Sequence, residues 1–314
     1  MTRNIALDIL RVLMAFMVIG IHTHFLHDIS VPGEYLTVNG LFRIAVPVFL
    51  MINGFYFYPV VENAKHRTWL KRIVLLYIVW MLFYAYAWID VPDLSFTSMM
   101  KLVHRMIFGY LHLWYIAGLI GAAVLFLYLR RFSSFWIWFS IVLTFSAGVF
   151  IEYAHNYAFF HNSLFSRLAT YDWIHRNFLF LSYPFFALGY MIHKHMLHRK
   201  ITLDMAMAMS VIGLIALLTE SYLNYLKQEC DNLIAVIFLT PALFILFLKV
   251  DIRGSSKQLA LYASAIFFIH IFFVNIFVQY TDLHETVMTF AVFFSSLVSA
   301  FFILKLHKKV KFIL

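Results

Sequence analysis

The chain has 314 residues, 63% of them hydrophobic and 12% charged, with a formal net charge of +9. Soluble domains carry about a quarter charged residues, so this composition excludes a water-soluble globular fold and requires lipid as solvent. A single cysteine, Cys230, excludes an intramolecular disulfide framework and any cysteine-based metal cluster.

Apolar windows able to cross a hydrocarbon core of about 30 Å recur along the whole length. They fall at 5–26, 39–60, 70–89, 112–129, 134–151, 178–193, 204–220, 232–249, 259–279 and 286–305. The sequence therefore predicts an all-α integral membrane protein of about ten transmembrane helices in one domain, 1–314. The first window is longer than a secretory signal, lacks a small-residue cleavage site and contains Asp8 and Arg11, so it is expected to remain in the mature protein.

Orientation follows from the basic residues, because cytoplasmic loops retain them. With the N-terminus inside, all of the 24 lysines and arginines except Arg43, Lys101, Arg105, Arg167, Arg176 and Lys227 fall on the cytoplasmic side. Asp28, Asp90, Glu152, Asp172, Asp231, Asp282 and Glu285 fall outside. Both termini are thus expected in the cytoplasm. The positive charge is accounted for by contact with anionic membrane lipids, and it lends no support to nucleic-acid binding.

Ionisable side chains are costly in lipid and line protein interiors or aqueous pathways, so function is sought there. In the first helix Arg11 and His22 lie eleven residues apart. Eleven steps of about 100° bring them to within about 20° of the same face, separated by about 16 Å along the axis. The plainer alternative pairs Arg11 with Asp8 at i, i+3 and leaves His22 at the outer interface. His24 and His27 read as interfacial histidines.

The second helix carries Arg43 at its outer end, Pro47 inside it and Asn53-Gly54 in its middle. Pro47 is expected to kink it, Gly54 to permit close helix approach, and Asn53 to make either an interhelical hydrogen bond or a direct functional contact. At the start of the third helix Lys65, Arg67, Lys71 and Arg72 form a basic cluster. Such a cluster anchors anionic lipid or receives a phosphorylated ligand.

Two long outer connections, 90–111 and 152–177, carry His104, His112, His155, His161 and His175 among aromatic residues. They are expected to act as lids or acceptor surfaces. The two halves of the chain share no pattern of interrupted helices, which disfavours a secondary transporter.

These features together resemble the membrane-bound acyltransferase-3 family over nearly the full length. Arg11 and His22 match the family's Arg, ten residues, His pattern. Arg43, Val46-Pro47-Val48-Phe49 and Asn53-Gly54-Phe55 match its second helix, with Asn53 in place of the more usual Ser. Further matches are HLWYIAGLIG from His112, RNFLFLSYPFFALGYMI from Arg176, and LYASAIFFIHIFF, which holds Ser264 and His270. The family's basic pair three residues apart is incomplete, since Leu75 stands three after Arg72.

The resemblance implies an acyl-CoA-dependent O-acyltransferase of the bacterial inner membrane. It would move an acyl group, most commonly acetyl from acetyl-CoA, to a hydroxyl of an extracytoplasmic glycan or lipid-linked sugar, with no metal. A histidine with a pKa near 6.5 suits proton removal from that hydroxyl. His22 is assigned that role, and Arg11 support of the donor or of the thioester carbonyl. Lys71, Arg72 and Arg67 would receive the CoA phosphates, and Arg43 and Asn53 complete the expected donor set. His112, Trp114 and Glu152 would border the acceptor. The competing class is a transporter or flippase for a sugar-linked lipid, in which Arg11 and His22 line a substrate pathway.

Overall fold

The computed structural model describes residues 3–89, 95–160, 164–225, 227, 230–254 and 257–314, without the side chains of Arg3 and Ser166. Asp90 and His161, assigned above to the outer loops, lie outside the described residues.

Helices dominate because a lipid-immersed backbone must satisfy its own polar groups. In chain order they are α1 (Ala6–His22), α2 (Val31–Thr37), α3 (Ala45–Glu62), α4 (His66–Phe83), α5 (Ala85–Trp88), α6 (Phe96–Phe108), α7 (Trp114–Leu129) and α8 (Ser134–Asn156). There follow α9 (Leu164–Ala169), α10 (Asp172–His175), α11 (Tyr183–Lys194), α12 (Leu197–Lys200), α13 (Leu203–Leu223), α14 (Val236–Lys249), α15 (Gln258–Tyr280) and α16 (Glu285–Lys309). Two 3₁₀ turns, Leu41–Ile44 and Leu111–Leu113, lead into α3 and α7, and a π turn, Phe178–Ser182, leads into α11. Asn177 caps that π turn by accepting hydrogen bonds from the Leu179 and Phe180 amides. A two-residue antiparallel pairing of Arg3–Asn4 with Arg253–Gly254 ties the entry of α1 to the α14–α15 loop.

Each predicted membrane segment holds a helix. Among the described residues, six helical runs are long and apolar enough to cross a membrane: Val31–Glu62, Leu111–Leu129, Ser134–Asn156, Leu203–Leu223, Gln258–Tyr280 and Glu285–Lys309. The chain is thus an all-helical, multi-pass membrane protein. The remaining long helices fall short for identifiable reasons. α1 has 17 residues and α14 has 14, while α4 carries Arg67, Lys71 and Arg72 within its 18.

The centre of the bundle is the contact of α3 with α11, and two glycines set its closeness. A Cβ on Gly54 would stand 1.8 Å from the Phe186 carbonyl oxygen, and one on Gly189 would stand 2.1 Å from that of Met51. Each glycine admits the other helix's backbone, as small residues do in membrane interfaces. The expected close approach at Gly54 is realised. Pro47, expected to kink the helix from within, instead lies in the first turn of α3, directly after the 3₁₀ turn. First-turn amides have no intrahelical acceptor, so proline costs little there; the interior proline is Pro59.

α8, α13 and α16 form the periphery. Only 22%, 22% and 28% of their most apolar windows are buried, against 50% for α7 and α15. Trp136, Phe139, Val142, Ile212, Ile215, Phe294 and Phe302 are correspondingly exposed. The connection expected as a lid at 90–111 contains α6, which has no buried residue and displays Phe96, Met99, Met100, Met106 and Ile107. It is tied down by Arg105 donating to the Trp88 carbonyl at 2.6 Å and by Tyr77 donating to the Met106 carbonyl at 2.8 Å.

Candidate active site

Four cavities follow one another through the bundle, and neighbouring ones share wall residues. At the end that carries the basic cluster, a cavity of about 430 Å³ is lined by Thr68, Lys71, Arg72, Leu75, His307, Lys311 and Phe312. α4 brings Lys71 and Arg72 to it, and the end of α16 brings His307 and the segment after it Lys311. Its charged lining is wholly basic. Lys65 and Arg67 are exposed and line none of the four cavities.

Arg72 also lines the second cavity, of about 380 Å³, with Arg11, Asn53, Tyr115 and Ser264 among apolar walls. Arg11 donates from Nη1 to Asp8 Oδ1 at 2.9 Å, so the i, i+3 pair is made, and the residue nevertheless lines the cavity, its guanidinium 5.9 Å from the Tyr56 ring centroid. Asp8 is 1% exposed, which fixes the Arg11 stem from below. Asn53 donates to the Phe49 carbonyl at 2.9 Å and to Tyr115 Oη at 2.8 Å. It thus joins α3 to α7 while bordering the same space. Trp80 and Arg72 donate to the carbonyls of Ile313 and Leu314, which holds Leu314 in the cavity wall.

Phe267 separates this space from the third, a small cavity of about 60 Å³, room for a few waters or a small acyl group. Its lining includes His22, Arg43, His112, Trp114, Arg176, Asp231 and Phe267. Arg11 thus lines the lower space and His22, the last residue of α1, the upper one, and instead of one cavity running between them there are two that meet at Phe267. No hydrogen bond ties the His22 ring among the described residues.

Around His22 the charges are ordered by ion pairs. Arg43 Nη1 donates to Asp231 Oδ1 at 2.6 Å, Arg43 Nη2 donates to Asn39 Oδ1 at 2.6 Å, and Arg176 Nη1 lies 3.2 Å from Asp231 Oδ2. Burial pushes the Asp231 carboxyl upward, but Arg176 and Arg43 outweigh it and hold the group below the usual carboxylate range. Arg43, expected with the donor, stands instead beside His22, a full cavity away from Arg11. Its sequence position at the outer end of the second helix is the reason.

The fourth cavity, of about 690 Å³, shares Trp114 and Arg176 with the third and opens to the far surface. His104, Phe108, Tyr171, Asp172, Trp173 and Asn177 line it. The Arg176 guanidinium lies over the Trp114 ring at 5.2 Å, within cation–π range.

Glu152, expected to border the acceptor, is 2% exposed and faces inward. Its carboxylate accepts from the amides of Asp231 at 2.5 Å and Asn232 at 2.8 Å, so it positions the loop that bears Asp231. Glu152, His175 and Asp231 bring three ligand atoms within 4.8 Å. Both Asp231 oxygens already face guanidinium groups and Glu152 is held by amides, so the cluster is an ion-pair hub rather than a cation cage.

Arg176, Asp231, Tyr115 and His270 were not among the expected site residues. Asp231 is visible in the sequence only as an outer-loop charge and Arg176 only as such a charge and as the start of a family-matching segment, and their long-range pairing has no local signal. His270 carried one, as an ionisable residue deep in the apolar run of α15.

A serine/alanine racemase of Enterococcus gallinarum is 26% identical over 272 residues, 78% of this chain and 37% of that one. An amino-acid racemase of Enterococcus faecalis is 26% identical over 156 residues, 46% of this chain and 22% of that one. The chain thus spans well under half the length of these curated relatives. No solved structure matches it. The family model described as an acyltransferase domain matches residues 4–305, nearly the whole chain, and the chain belongs to the acyltransferase-3 family.

Proposed function

We propose that the protein is an acyl-CoA-dependent O-acyltransferase of the bacterial inner membrane, with ten helices across the bilayer and both termini in the cytoplasm. The donor, most commonly acetyl-CoA, docks its phosphates in the basic cavity at Lys71, Arg72, Lys311 and His307, since Arg and Lys bind phosphate through charge-assisted hydrogen bonds. Its pantetheine arm runs past Arg11 and Asn53 and presents the thioester near Phe267. The acceptor, a hydroxyl of an extracytoplasmic glycan or lipid-linked sugar, enters from the aromatic cavity beside Trp114.

In the reaction the hydroxyl oxygen attacks the thioester carbonyl while His22 removes its proton. Arg43 and Arg176, fixed by Asp231, stand on the side where negative charge develops on the carbonyl oxygen. The carbon–sulfur bond then breaks, and the thiolate leaves as CoA thiol with the proton held by His22. Atoms and charges balance without a further reactant. Both His22 and the acyl-CoA stay within one protein while the two substrates arrive from opposite sides.

The observation that carries this reading is the succession of cavities, joined through Arg72, Phe267 and the Trp114/Arg176 pair, that leads from a basic pocket to His22. The test uses washed membranes or purified protein with radiolabelled acetyl-CoA, together with mass spectrometry of envelope glycans from cells with and without the gene. Donor consumption that depends on His22 and an acetyl-sized mass difference in a glycan are expected. An intact thioester, with a sugar-lipid moved across the bilayer, would replace this proposal with the flippase reading.

A further inference from the structure

His22 is one of three imidazoles packed together. His270 on α15 has its ring centroid 5.3 Å from that of His22, inclined by 41°, and His112 has its own 4.9 Å from that of His270. His270 is fully buried and His112 is 2% exposed.

The protonation of His270 can be assigned from its partner. Nδ1 lies 2.6 Å from the Phe267 carbonyl oxygen, and a carbonyl only accepts, so Nδ1 carries the hydrogen. In the neutral ring Nε2 is then a lone-pair acceptor. That Nε2 is inaccessible and has no hydrogen-bond partner, and neither has either ring nitrogen of His112. Buried polar atoms are nearly always paired, so an acceptor held in one tautomer beside an untethered imidazole is an arrangement waiting for a donor.

We infer that His270 is a positioning residue for His22: its Nε2 accepts the N–H of His22 and so leaves the other His22 nitrogen, facing the small cavity, with the lone pair. The inference rests on the proposed role of His22 as base. The same hydrogen bond holds the imidazolium formed when the acceptor's proton arrives, as a carboxylate does in hydrolase triads. His270 neither gains nor loses a proton over the cycle. The carbonyl of Phe267 fixes His270, and His270 in turn fixes His22. Arg43, Arg176 and Asp231 line the small cavity with His22, whereas His270 lies outside its lining and packs on the His22 ring from α15.

The test is ¹⁵N NMR of the full-length protein labelled at histidine, with the His22 ring signals assigned by their loss in His22→Gln. The wild type is expected to show one tautomer at His22 and an ¹⁵N–¹⁵N coupling across the His22–His270 hydrogen bond. In His270→Phe the two tautomers should mix and kcat should fall by about 10- to 100-fold, as when supporting residues of other catalytic groups are removed, with KM for acetyl-CoA unchanged. His270→Gln, whose amide oxygen still accepts, should restore the single tautomer. Lack of the coupling in the wild type, or a His22 tautomer indifferent to His270→Phe, overturns the assignment even where His22→Ala abolishes transfer. A wild type that shows the coupling but consumes no acetyl-CoA upholds the pairing and defeats the acyltransferase reading instead.

Discussion

Arg43 Nη1 lies 2.6 Å from Asp231 Oδ1, so the turn that starts α3 is clasped to the α13–α14 loop directly over His22. Removing one partner of a buried ion pair costs about 3–5 kcal/mol, and here the buried Arg43 would lose this carboxylate while Arg176 keeps Asp172. Asp231→Ala should therefore lower the melting temperature of the detergent-solubilised protein, whereas Asp172→Ala, at the exposed pair with Arg176, should change it little. Equal melting of the two variants would contradict the buried clasp.

The same carboxylate sets an acid limit. Arg176 and Arg43 together overcome the effect of burial and hold the Asp231 pKa below its unfolded value. Its contribution is fully present above the unfolded carboxylate range, near pH 4, and is lost as pH falls through the lower folded value. The wild type should lose stability on that descent, and Asp231→Ala should show a flatter acid limb in thermal melts recorded across pH 3–6.

At the basic cavity, Lys71→Ala and Lys311→Ala should each raise KM for acetyl-CoA by about tenfold, since a hydrogen bond to a charged group contributes about 1.5–3 kcal/mol. Little change in kcat is expected. With a donor lacking the 3′-phosphate, one of these variants should lose its defect, which identifies the residue that meets that phosphate. Arg67→Ala, outside the cavity, should keep the wild-type KM.

His22→Ala should reduce transfer by at least about 10²-fold, the lower range for a positioned acid–base group. Its circular dichroism and membrane insertion should match the wild type. Turnover within twofold of wild type would dismiss His22 as the base. Trp114→Ala should act differently, raising KM for the acceptor while leaving the donor's KM alone.

Gly54→Ala offers a test of the fold. The added methyl would meet the Phe186 carbonyl at 1.8 Å, a backbone atom that cannot rotate away. Overpacking of this kind costs about 1–3 kcal/mol or more, and the variant should be recovered in lower yield with an earlier melt. Gly33→Ala, whose Cβ would be 3.1 Å from the Ser30 side chain, serves as the milder comparison.

The residues that were legible in the sequence share one property: their meaning lies within a single helix. Arg11 and His22 fall on one face because the helical period says so, and Gly54 admits a neighbour because it has no side chain. What escaped was tertiary. Nothing near Asp231 announces that Arg43, far earlier in the chain, will meet it, and Glu152 reads as an outer-loop acid until the amides of Asp231 and Asn232 are seen to occupy it. Pro47 misled for a related reason. A proline's effect depends on its distance from the helix start, and helix starts are the least certain feature of an apolar run.

Phe267 walls both the Arg11 space and the His22 space. In the proposed orientation the inner and outer aqueous phases approach each other to within one aromatic layer there. The transmembrane voltage then drops mainly across that ring, and a unit charge crossing it would do work of about 2.3 kcal/mol per 100 mV. In the proposed transfer the acetyl group moves outward as the hydroxyl proton passes inward to the thiolate, and this electroneutral exchange does none. Acyl export as proposed would therefore neither draw on nor short-circuit the gradient that energises the membrane.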